Sequence, residues 1–163
     1  MMKRFAISPE IRLMLQLIDE SYYGKAWHGP NLRGSLRNIT IEEAAWRPNK
    51  NRHNIWELTL HAAYWKYTVR RRILGEKRGS FPIRGSNWFV RPESKGENAW
   101  RTDVSILDEM HQAMRDAVAS LSSPDIWKTP MGSKINNATI ITGIAQHDVY
   151  HAGQIQLLKK LQR

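Results

Sequence analysis

One stretch near the end of the chain limits the available folds more than any other. Ile140, Ile144, His147, His151, Ile155 and Leu158 recur at steps of three and four residues. That spacing is the buried stripe of an α-helix, and a strand would scatter the same side chains over both faces. Two imidazoles thus stand where aliphatic side chains are expected. At four residues' separation, His147 and His151 share a helix face with their Cβ atoms about 5 to 6 Å apart. Inward-facing neutral imidazoles either bond to carbonyls and carboxylates within a core or ligate a divalent metal with help from another helix.

At 163 residues the chain suits one domain with a single core, read here as residues 1–163. No apolar run approaches the roughly 20 residues of a membrane-spanning helix. The opening MMKRFAISPEIR is basic but lacks the apolar run of a signal peptide, so a cytoplasmic protein is expected. With no cysteine, disulfides, thiolate nucleophiles and cysteine-ligated zinc are excluded, and any metal must be held by nitrogen and oxygen. The net charge of +10 raises nucleic acid as a partner, with Lys66, Arg70, Arg71, Arg72, Lys77 and Arg78 clustered at one helix end. Against it, the other basic residues are scattered and no nucleic-acid-binding motif is present, which favours a solvated basic face.

Along the chain, Ser8-Pro9-Glu10 reads as a helix start, with Ile11, Met14, Leu15, Ile18 and Tyr22 inward and Gly24 a weak point. Trp27-His28-Gly29-Pro30 breaks the pattern before Asn31 to Ile39 resumes it. His28 sits at this bend, either a loop histidine or a substrate-facing group. Thr40 to Glu43 has capping-box spacing and opens a short helix through Trp46. Asn54 to Leu74, closed by Gly75, is a long helix with Ile55, Leu58, His61, Ala62, Trp65 and Val69 on its buried face. Glu76 to Arg101 reads as a long loop that packs its aromatic residues back onto the body and covers a pocket mouth. Thr102 or Asp103 then caps a helix to Leu121, with Ile106, Met110, Ala113, Ala117 and Leu121 inward and His111 on the surface. After a connection over 122–136, Asn137 or Thr139 caps the last helix. The pattern predicts an all-α four-helix bundle with a long loop between the second and third long helices.

His61 is a third histidine on an apolar stripe. Three imidazoles from two facing helices can take three corners of a coordination sphere and leave a position open for water or substrate. All-nitrogen ligation suits zinc or nickel, and iron or manganese would more often take a carboxylate as well. Glu57, one turn before His61, is either a further ligand or partner of the site or only the capping acid of its helix. Asp148 and Tyr150 begin about 100° around the helix from the ligands and need not face them. No residue stands out as catalytic acid or base.

The segments WHGPNL, RHNIWELTLHAAYWK and GIAQHDVYHAGQIQLLKK, with the order of helices and gaps over nearly the whole chain, closely resemble the DinB-like superfamily. This is the damage-inducible helical type, unrelated to the DNA polymerase of the same name. The resemblance implies a four-helix bundle, often a homodimer, in which one histidine of the second helix and an HxxxH pair of the last bind a divalent metal. The matching positions are His61, His147 and His151. It further implies either a transferase using a low-molecular-weight thiol, whose sulfur the ion would bind, or a hydrolase with the attacking hydroxide in that place. The alternative is a basic helical module that binds nucleic acid or protein and holds a structural or vestigial metal.

Overall fold

The structure, a computed structural model, describes residues 7–163. Among them are six α-helices, two 3-10 turns and no strand. Helix α1 (Pro9–Tyr22) starts at Ser8, whose hydroxyl accepts from Ile11 N, with Pro9 in the first turn. It stops at Gly24, whose amide donates to Asp19 O at 2.7 Å. A Cβ at that glycine would stand 2.9 Å from the same carbonyl oxygen, so a side chain there would push the turn open. Helix α2 (Leu32–Ser35) is a single capped turn and α3 (Ile41–Ala45) carries the reciprocal Thr40/Glu43 box. Helix α4 (Ile55–Leu74) runs from the Asn54 cap to Gly75, whose φ of 69° is the left-handed closure that glycine tolerates best. Helices α5 (Glu97–Ala119) and α6 (Asn137–Leu161) complete the set.

The four long helices pack in a ring: α4 against α5, α5 against α1, α1 against α6, and α6 against α4. Apolar side chains form two clusters along it. One joins Ile55, Trp56 and Leu60 of α4 to Trp100 and Leu107 of α5 and Ile155 of α6. The other joins Ile11 and Ile18 of α1 to Met114, Val118, Ile141 and Ile144. Where the two clusters meet, three of these helices carry buried polar residues: His61 and Lys66 on α4, His111 on α5, Asp148 and His151 on α6. This polar layer positions the candidate site. No helix among the described residues is long and apolar enough to cross a membrane.

Four expectations are corrected. Helix α5 begins at Glu97, so Thr102 and Asp103 lie inside it; the aromatic that suggested loop, Trp100, is 3% exposed and is a core residue of the first turn. Asp103 is buried and accepts from Trp56 Nε1 at 2.7 Å and Arg91 Nε at 2.8 Å. His111 is 2% exposed rather than a surface residue, and its ring stacks on Tyr22 at 3.7 Å. The cause is a wider buried face, since α5 packs on both α4 and α1. The resumed helix after Asn31 stops at Ser35, and the positive φ of 58° at Asn38 bars it from reaching Ile39, although Leu36 and Ile39 are still buried. Finally, Asn136 caps α6, while Asn137 turns its amide to Asp125 O.

Candidate metal centre

Helices α4 and α6 lie side by side, which brings the His61 face of one against the His147/His151 face of the other. His147 Nε2 is 3.1 Å from His61 Nε2 and 3.0 Å from His151 Nε2. One ligand atom from each ring lies within 4.8 Å of the others, a set that can hold a metal ion.

The second nitrogen of each ring decides what these close approaches mean. His61 Nδ1 donates to Asn87 O at 2.9 Å, and His151 Nδ1 donates to Gln154 Oε1 at 2.6 Å. Both Nε2 atoms are therefore bare lone pairs aimed at His147. His147 Nδ1 is buried without a partner. If the His147 proton sits on Nδ1, three lone pairs face one another; if it sits on Nε2, it serves one of two waiting acceptors well. Either way the protein alone leaves lone pairs unmet, and a cation would satisfy all three.

Geometry supports the same fit. Zinc to nitrogen bonds of about 2.0 to 2.1 Å at angles between octahedral and tetrahedral separate the nitrogens by about 2.8 to 3.4 Å. The two Nε2–Nε2 separations of 3.1 and 3.0 Å fall inside that range. Burial also holds the rings in the ligating form: it lowers His61 to about 4, against the raising effect of the Asn87 hydrogen bond, and lowers His147 to about 3, helped by the two neighbouring imidazoles. His151 is lowered by burial as well, against its bond to Gln154. Near neutral pH all three are uncharged.

The connection between α4 and α5 supplies the roof. Trp88 stacks on His61 at 3.9 Å, and Asn87, held by Trp65 Nε1 at 2.9 Å, adopts a positive φ of 63° that turns its carbonyl to His61. Beside His151 opens a cavity of about 530 Å³ lined by Leu58, Trp88, Tyr150, Leu157 and Leu161 among others. A smaller one of about 170 Å³ borders His147.

Other expected participants lie elsewhere. Glu57 is buried, and its carboxylate is taken by Arg47 Nη2 at 2.7 Å and His53 Nδ1 at 2.9 Å, leaving the histidine set without a carboxylate. Its amide does bond to Asn54 Oδ1, so half of the expected cap is present. Asp148 faces away from the imidazoles and pairs with Lys66. Lys66 is fully buried, and Arg70 is bonded to Glu76, so the basic surface cluster loses two of the cations expected in it. Tyr150 stands at the cavity rim, 64% exposed. His28 is exposed and lines a different hollow, between α1 and α6. Sequence reasoning missed Asn87 and His53; Trp88 is one of the aromatics of the loop expected to pack back and cover a pocket mouth, and it lines the cavity beside His151. The spacing of four between His53 and Glu57 was the one available signal, and nothing local marks Asn87.

A family model described as the DinB superfamily matches residues 26–155, a span that includes all three histidines. The chain matches no curated protein and no solved structure.

Proposed function

The chain belongs to the DinB superfamily, and from that premise we propose a metal-dependent enzyme: a low-molecular-weight-thiol-dependent transferase or a hydrolase acting on a small molecule. In this reading residues 1–163 form one four-helix-bundle domain that works as a homodimer. His61, His147 and His151 hold one divalent ion, zinc or nickel by preference for an all-nitrogen set, with iron or manganese as further candidates. The observation that carries the proposal is the convergence of three neutral imidazoles, with His147 Nε2 at 3.1 and 3.0 Å from the other two Nε2 atoms and His147 Nδ1 left without a partner. Bound there, the ion would keep its full 2+ charge and polarise a thiol or water brought to it.

The chain's own residues do the remaining work. Asn87 and Gln154 fix the tautomer and orientation of His61 and His151, the outer support that metal-ligating histidines generally have. Trp88 shields His61 from bulk water on one face. The cavity beside His151 admits the substrate to the open side.

The deciding experiment is metal analysis of protein purified without a histidine tag, followed by calorimetric titration with zinc and nickel. A single site per chain that disappears in His147→Ala and in His151→Ala is expected. Absence of binding at micromolar ion would end the proposal.

A further inference from the structure

His53 stands beside the candidate centre in an arrangement that the metal reading leaves unused. Its Nδ1 donates to Glu57 Oε2 at 2.9 Å. The Glu57 side chain is 5% exposed, and burial alone would raise its carboxyl; the hydrogen bonds from Arg47 and His53 outweigh this and hold it below its ordinary value, hence charged. The ring plane is fixed as well. His53 lies flat on Trp88 at 3.5 Å and 2°, and His61 stacks on the same indole at 3.9 Å and 10°. Two rings that close to one centroid cannot share a face, so the indole separates His53 from His61. With Nδ1 committed to Glu57, His53 keeps Nε2 as a lone pair, and the residue lines the same cavity as His151.

We propose that this cavity binds a small molecule with an apolar body and an ionisable S–H or O–H, and that His53, oriented by Glu57, accepts that proton. The proposal rests on the metal-dependent reading for the later fate of the ligand, but not for binding or proton transfer. The S–H or O–H bond breaks, its electron pair stays on sulfur or oxygen, and the proton passes to His53 Nε2. The imidazolium that forms is balanced by the Glu57 carboxylate, the role a buried acid plays behind a general-base histidine. His53 is thus the catalytic residue and Glu57 a positioning residue. The apolar body fits the walls made by Leu58, Leu157 and Leu161. Other charged or titratable groups around His53 are Arg47 behind Glu57, Arg52 at the rim, and His151 and Tyr150 along the cavity.

The test uses histidine-labelled protein, metal-free and zinc-loaded, with 2-naphthalenethiol as the probe, whose thiol and thiolate absorb differently. Nitrogen NMR should show His53 protonated on Nδ1 alone in the wild type and as a mixture of tautomers in Glu57→Gln. The bound probe should be mostly thiolate in the wild type. In His53→Gln its thiolate-to-thiol ratio should fall at least tenfold, with a smaller fall in Glu57→Gln. Leu157→Asp, at a position 58% exposed that tolerates change, should weaken probe binding at least tenfold. A wild-type His53 protonated on Nε2, no probe binding, a thiolate ratio unchanged in His53→Gln, or an affinity unchanged in Leu157→Asp would each overturn the proposal. Failure of the wild type to take up zinc would instead sink the metal reading, and the metal-free measurements would still decide this one.

Discussion

Helices α4 and α6 build two polar sites back to back, and they differ in charge balance. On one side are His61, His147 and His151, three neutral donors with lone pairs left over. On the other, Lys66 and Asp148 form an ion pair, 0% and 1% exposed, with Lys66 Nζ 4.7 Å above the Tyr22 ring and His111 stacked on that ring's plane. Burial drives Lys66 downward and Asp148 up to about 6, while each partner opposes the shift in the other. The pair neutralises its own charge, although Asp148 Oδ1 and both His111 nitrogens are left without a partner. The histidine set lacks any counterpart and borders open space. Unmatched atoms occur on both sides, so they do not mark a ligand site by themselves; the histidine set differs in that its ligand atoms converge on one another beside a cavity.

The comparison breaks most visibly if the ion pair is split. Lys66→Met should cost about 3 to 5 kcal/mol in urea unfolding, because it strands a buried carboxylate. Adding Asp148→Leu should recover most of that loss, and a double variant as unstable as the single one would show that the pair does more than neutralise itself. On the open side, His147→Ala should weaken zinc binding by more than about 100-fold, beyond the 10 to 100-fold typical of losing an outer partner, while the metal-free protein stays folded. Calorimetry and a metal-free melting curve check both parts. Gln154→Ala, which removes only the support of His151, should weaken zinc binding about tenfold.

The last effect accumulates with pH and concerns acid stability. Burial, with Lys66 and Arg115 nearby, lowers His111 from 6.5 to about 2. The unfolded chain takes up this proton below its ordinary value and the folded chain does not, so acid favours unfolding. Stability present above pH 6.5 should therefore fall as pH drops towards 2, by ~1.4 kcal/mol per pH unit from this ring alone. His111→Leu should flatten the slope of unfolding free energy against pH; an unchanged slope would mean that the ring is already protonated in its pocket.

Much of the helical pattern was legible because capping and periodicity are local. Thr40 with Glu43, and Asn54 with Gly75, marked α3 and α4 to within a residue. The face of α5 was misjudged because its stripe serves two neighbours, and a one-sided pattern fitted to Met110 and Ala113 pushed His111 outward. The three histidines could be grouped beforehand because each interrupts an apolar stripe. Asn87 and the Glu57–His53 pair could not, since their roles depend on where a long connection returns and which acid faces which base.

By itself, the sequence determined an all-helical chain without thiols, with three imidazoles directed inward. Spacing along a helix and residue chemistry are properties of the chain and survive without neighbours. Only the tertiary structure decided that Asp148 and Lys66 would satisfy each other, that Glu57 would turn to Arg47 and His53, and that the histidine nitrogens would converge beside a cavity. Those outcomes depend on helix rotation and on the path of the loop, which are set by packing distant segments together.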